Sequence, residues 1–137
     1  MKLNPYLGFD GNCREAMTFY ANVLGGKLTA LIANGDTPMK DQFPPDQQDR
    51  IMHARLEVGD QVIMAGDAPQ GMHSQPAGFT IAVTIEDNKE ADRVFAELLE
   101  GGKINMPIQE TFWADRFGMG IDKFGIPWMV NGKQKPM

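Results

Sequence analysis

The sequence predicts an α+β fold: two βαβββ modules pairing into a concave mixed β-sheet with helices on the outer face. Two segments, 13–24 and 89–100, space their apolar residues at helical intervals, while much of the remaining chain alternates apolar and polar residues in the strand sense. The chain also repeats itself. A slide of 76 positions sets Asn12 on Asn88, Phe19 on Phe95, and Gly25-Gly26-Lys27-Leu28 on Gly101-Gly102-Lys103-Ile104. These are a helix start, a buried ring and a helix stop, so the repeat is one of structure. Neither copy can cover its sheet alone, and pairing them leaves a concave sheet between the halves. The modules are placed at about 1–68 and 78–134, joined by a linker over 69–77, in a single domain of residues 1–137.

In chain order, Leu3–Phe9 reads as a strand with Leu3, Pro5, Leu7 and Phe9 on one face and Asn4, Tyr6 and Gly8 on the other. Asp10-Gly11-Asn12 is turn chemistry, with Asn12 as the expected N-cap of a helix from Cys13 that Gly25-Gly26 closes. Lys27–Ala33 is a strand. Asn34–Arg50 carries three prolines and little apolar periodicity, and is expected to be a long exposed loop, either a lid or a surface insertion. Ile51–Val58 alternates, with His53, Arg55 and Glu57 on its polar face, and Gln61–Ala65 follows as a short strand after the Gly59-Asp60 turn. Asp67–Gly78 reads as linker and places His73 in solvent. A strand at Phe79–Ile85, a helix at Lys89–Glu100 capped by Asn88, and a strand from Lys103 to Ile108 repeat the first half. Glu110–Asn131 holds both tryptophans and three of the eight phenylalanines, and reads as a hairpin of Trp113–Ile121 and Pro127–Asn131. Large rings beside Asp115 and Arg116 suit either a pocket wall or an ordinary core strand pair.

Composition narrows the function. A chain of 137 residues with a formal charge of −5 and no basic cluster argues against nucleic acid and against an anionic membrane as partner. A chain of this size can bury roughly two-thirds of its unfolded surface, so no disulfide or metal is needed for folding. The single cysteine, Cys13, fits a reducing compartment and has no nucleophile signature. With no signal-peptide pattern and no membrane-length apolar run, a cytoplasmic domain is expected.

Several stretches together resemble the vicinal oxygen chelate superfamily of glyoxalases, fosfomycin and bleomycin resistance proteins and extradiol dioxygenases. They are Pro5-Tyr6-Leu7, Phe9, Gly11-Asn12, His53-Ala54, Ile63-Met64-Ala65-Gly66-Asp67, Glu110-Thr111-Phe112-Trp113-Ala114 and Asp122-Lys123-Phe124-Gly125-Ile126-Pro127-Trp128. Within the superfamily the chain is similar to the PhnB-like branch, which often carries a demethylubiquinone methyltransferase-like label. The resemblance implies a homodimer and, in the metalloenzymes, ligands from the first and last strands of each module. Those positions fall here on Asn4, Met64, Thr80 and Met129. An amide, a hydroxyl and two thioethers bind a hard divalent ion poorly, so neither a metal nor another cofactor is expected. No glycine-rich strand–helix turn of the dinucleotide kind supports methyl transfer, and no Ser-His-Asp set is present.

If those four positions face inward, strand parity brings Tyr6, Gly8, Ala82 and Thr84 with them. The expected ligand-binding residues are Tyr6, His53, Arg55, Met64, Trp113, Asp115 and Met129. Arg55 could hold an anion and His53 could exchange a proton; alternatively His53, Arg55 and Glu57 only pair among themselves. His53, Asp115 and Glu110 are the candidates for proton transfer. The first function this suggests is metal-independent binding or processing of a small molecule in the sheet chamber, an anion being one option. A metal-dependent lyase, isomerase or dioxygenase using His53 with Glu57, Glu110 or Asp115 is the second. Sequestration of a cationic antibiotic by the acidic, aromatic chain is the third.

Overall fold

The computed structural model describes residues 1–136. The chain divides into two compact units, Met1–Ser74 and Gln75–Met137, with the division inside the predicted linker. The first unit contains β1 (Tyr6–Phe9), α1 (Cys13–Leu24), β2 (Lys27–Ala33), β3 (Ile51–Val58) and β4 (Gln61–Asp67). The second contains β5 (Ile81–Thr84), α2 (Asn88–Leu98), β6 (Lys103–Gln109), β7 (Phe117–Ile121) and β8 (Pro127–Asn131). Each sheet has four strands in the same order, β1-β4-β3-β2 and β5-β8-β7-β6. In each, the first strand lies parallel to the last and the other pairs are antiparallel. The repeat read from the sequence is therefore a repeat of topology.

One helix packs on one face of each sheet. In α1 the buried positions are Cys13, Ala16, Met17, Tyr20 and Val23; in α2 they are Ala91, Val94, Phe95 and Leu98. Each large side chain so removed from water contributes roughly 1.5–3 kcal/mol. The Gly-Gly pairs do two jobs that the sequence alone does not separate. Gly25 and Gly101 take left-handed φ values of +68° and +79°, which end the helices. Gly26 and Gly102 allow close approach instead: a Cβ on Gly26 would lie 2.8 Å from the Glu57 carbonyl, and one on Gly102 would lie 2.2 Å from that of Ile121. The second glycine thus lets each helix exit pass over the end of β3 or β7.

Several boundaries differ from expectation. The first strand begins at Tyr6, so Leu3, Asn4 and Pro5 lie outside it and are exposed. The fifth begins at Ile81, so Thr80 also precedes its strand. Gln61–Asp67 is longer than expected because Gly66 and Asp67 stay in parallel register with Gly8 and Phe9. Asn12 gives α1 no side-chain cap, and α2 is capped by Asp87, whose Oδ1 accepts from the amides of Lys89 and Glu90. The strand expected over Trp113–Ile121 starts at Phe117. Residues 111–114 instead form a tight turn in which Thr111 Oγ1 accepts from the amides of Trp113 and Ala114. His73 is half-buried rather than solvated.

Asn34–Arg50 is folded on itself through single 3-10 turns at Asn34–Asp36, Lys40–Gln42 and Pro45–Gln47. Its polar residues satisfy its own backbone. Asn34 Nδ2 donates to the Gln47 carbonyl at 2.9 Å, and Gln48 Nε2 donates to those of Lys40 and Phe43. Backbone bonds such as those from the Asn34 and Gly35 amides to the Arg50 and Gln48 carbonyls, at 2.9 Å, add to these, and apolar periodicity reveals neither kind.

Candidate functional site

The face of the first sheet turned away from α1 carries the residues with chemistry. Ala54, Leu56 and Ala65 are buried on the helix side, so His53, Arg55, Glu57 and Met64 point the other way. Strand register sets Ala30, Arg55, Met64 and Tyr6 in one row across β2, β3, β4 and β1. Ile32, opposite His53, adds exposed apolar surface beside it.

Tyr6 reaches over this face. Its ring stacks near His53 with centroids 6.4 Å apart, and its hydroxyl donates to the Met52 carbonyl at 3.4 Å. The path crosses Gly66, where a Cβ would come within 2.5 Å of the Tyr6 hydroxyl and 2.9 Å of the Met52 carbonyl. Gly66 is thus a site residue the sequence reading missed: it stands just past the strand expected over Gln61–Ala65, and only as a glycine within β4 does it mark close approach. Partial burial of the hydroxyl holds the tyrosine pKa above its ordinary value.

Arg55 is held from one side. Its Nε donates to Glu57 Oε2 at 3.2 Å, while its two terminal nitrogens have no hydrogen-bond partner among the described residues. The Glu57 carboxyl lies below its usual range, first through a hydrogen bond from Thr29 and then through Arg55. The alternative of pairing among His53, Arg55 and Glu57 is thus met for the last two alone, and it leaves the two terminal nitrogens of the guanidinium open.

Asp67, at the end of β4, ties three segments of the first unit together on the helix side. Its Oδ1 accepts from the amides of Gly11 and Cys13 at 2.8 and 3.1 Å, and its Oδ2 from that of Ile51 at 2.8 Å. One carboxylate therefore caps α1, closes the β1–α1 turn and starts β3. Cys13 lies beneath it, fully buried, and burial together with the Asp67 charge pushes the thiol up to about 12. That agrees with the absence of a nucleophile signature. Because the thiol ionises less readily folded than unfolded, it favours the fold below its ordinary value near 8.5 and loses that contribution as pH rises towards about 12. Urea stability should fall between about pH 9 and 12 in the natural chain. It should fall less steeply in Cys13→Ala, and equal slopes would contradict the assignment.

The other expected site residues belong to the second unit. Trp113 packs edge-on between Phe112 and Phe117, with centroids 4.8 and 5.2 Å away, and Phe112 is 77% exposed. Asp115 accepts from Asn88 Nδ2 at 3.2 Å, and Glu110 is paired with Lys135 at 2.6 Å. Both carboxylates thus have partners within the segment that anchors the aromatic turn. Arg116 joins them there through Asp92. Met129 lies between Ala82 and Met119 in a row that Met106 completes.

Two βαβββ units, each a four-stranded mixed sheet with one helix, make the fold typical of the vicinal oxygen chelate superfamily. A glyoxalase family protein of Enterococcus faecalis and the fosfomycin resistance protein FosX of Listeria monocytogenes share the fold, each at a TM-score of 0.63 with 17% and 10% identity. Within it the chain belongs to the PhnB-like family, described as 3-demethylubiquinone-9 3-methyltransferase, whose model matches residues 1–131. Protein YjdN of Escherichia coli (strain K12) is 39% identical over 145 residues, covering 99% of each chain. The crystal structure of PA1353 from Pseudomonas aeruginosa matches at a TM-score of 0.90 and 44% identity over 98% of this chain and 99% of that one. A PhnB protein of Bacillus cereus matches at 0.80 and 27% over 96% and 99%.

FosX was solved with Mn(II), which raises the question whether these residues fit a divalent metal. They do not. Asn4 and Thr80 precede their strands, and Met64 stands in register with Tyr6 rather than Asn4. The two strand positions offer thioethers, which are poor donors to a hard ion. Among the described residues, no three His, Cys, Asp or Glu side chains gather as a metal ligand set elsewhere.

Proposed function

We propose that the chain binds a small molecule bearing an anionic group and an apolar body on the exposed face of its first sheet, without a divalent metal. The observation that carries this reading is Arg55, fixed through Nε by Glu57 with both terminal nitrogens open. A carboxylate, phosphate or phosphonate matches that fork. Tyr6, His53, Met64 and Ile32 supply aromatic and adaptable apolar area for the body of the ligand. Anion sites at the helix starts, the usual alternative, are already taken: Asp67 holds the α1 amides and Asp87 those of α2.

The same fact weighs against methyl transfer, the activity in the family's description, because an adenosyl cofactor commonly sits at an open glycine-rich strand–helix turn. The β1–α1 turn here is closed on Asp67. If the bound molecule is also transformed, His53 is our candidate for proton exchange, as an imidazole beside Tyr6 on this face. A homodimer accompanies this reading.

Native mass spectra of protein purified without added metal, beside a denatured sample, test it first. The expected result is a dimer carrying organic mass or no adduct; a stoichiometric divalent metal would overturn the reading. A thermal-shift screen of small carboxylates and phosphonates should then find ligands whose affinity Arg55→Gln lowers by roughly 10- to 100-fold, the worth of a charge-assisted hydrogen bond. Ligands that bind Arg55→Gln as tightly as the natural chain would place the anion elsewhere.

A further inference from the structure

We propose that Met106, Met119 and Met129 form a thioether site for Cu(I) on the sheet face of the second unit. The three lie on adjacent strands in direct register, Met106 opposite Met119 and Met119 opposite Met129. They face away from α2. Gly118 and Gly120, which flank Met119 on β7, are the positions where a Cβ would strike Phe95 and Leu99 of that helix. Opposed Cβ atoms in a sheet stand about 5 Å apart, and each methionine carries its sulfur on a flexible, unbranched chain. The outer two sulfurs can therefore swing over the central one and share an ion.

The neighbourhood selects a soft ion. The adjoining rows are Thr84, Asn131, Phe117 and Gln109 on one side and Pro127, Ile121 and Lys103 on the other. Neither row offers the carboxylates or imidazoles that zinc, magnesium or manganese require, whereas thioethers favour Cu(I). The corresponding row of the first unit is Tyr6, Met64, Arg55 and Ala30, which has a single thioether. The site is thus a property of the second repeat alone. It is independent of the anion reading above, which uses the first.

The test is anaerobic titration with Cu(I) against a chromophoric Cu(I) chelator, repeated with redox-inert Ag(I). It compares the natural chain with Met119→Leu, Met72→Leu and Cys13→Ala. Leucine conserves volume and keeps the fold, which circular dichroism and urea melts check. The natural chain, Met72→Leu and Cys13→Ala should each hold one ion. Met119→Leu should weaken binding by upwards of about 100-fold, since loss of even an outer-shell partner typically costs 10- to 100-fold. No binding by the natural chain, equal binding by Met119→Leu, or loss of binding in Cys13→Ala would each overturn the proposal.

Discussion

Asp122→Ala should lower the unfolding free energy by at least about 3 kcal/mol, one of the largest single-residue effects available in this chain. The residue is 3% exposed at the head of the β7–β8 turn. Its Oδ1 accepts from the amides of Phe124 and Ile126 at 2.8 and 3.0 Å, and its Oδ2 from the indole of Trp128 at 2.7 Å. Trp128 and Ile126 are both buried, so removing the carboxylate leaves donors with little access to water. A buried donor left unpaired costs about 1–3 kcal/mol, which is why the sum is large. Asp122→Asn should fall between, because its amide keeps one acceptor and turns a donor towards another donor. Urea melts followed by tryptophan fluorescence measure this directly. A loss under about 1 kcal/mol in the alanine variant would falsify the account, showing that the turn relaxes to re-pair its donors.

Asp67→Ala should cost about 2–4 kcal/mol and should also disturb the candidate site. Three backbone amides on separate segments, at Gly11, Cys13 and Ile51, lose their acceptor together. The Cys13 amide belongs to the first turn of α1, so the loss includes a helix cap. Tyr6 and His53 sit on β1 and β3, the strands that these bonds tie to β4. Hydrogen exchange should accordingly speed at Gly11, Cys13 and Ile51 before the rest of the first unit. Faster exchange spread evenly over both units would mean that Asp67 supports global stability rather than this junction.

The two carboxylates show how legibility depends on distance along the chain. Asp122 acts on residues two, four and six positions ahead, and its place in an Asp-Lys-Phe-Gly turn was readable. Asp67 acts on amides 16, 54 and 56 positions away, and the sequence marked Asn12 as the cap instead. The repeat suggested equal caps at Asn12 and Asn88, yet Asp67 and Asp87 cap the two helices from different positions. A cap needs only an acceptor near the first amides, and either a neighbour or a distant strand can bring one there.

The site divides in the same way. Alternation along one strand was enough to put His53, Arg55 and Glu57 on one polar face, because side-chain direction in a strand is a local property. Gly66 could not be found so, since its role depends on a ring from β1 lying across it. Nor could the partners of Glu110 and Asp115, Lys135 and Asn88, which lie 25 and 27 positions away.

The sequence by itself determined the two modules, the two helices and the shared face of His53, Arg55 and Glu57 on β3. Each rests on periodicity, repetition or residue chemistry, which neighbouring positions decide. Only the tertiary structure decided strand order, the Tyr6–Gly66–His53 crossing, the open end of Arg55 and the alignment of three methionines across β6, β7 and β8. Those depend on register between strands far apart in the chain, and a slip of one residue would turn every side chain to the other face.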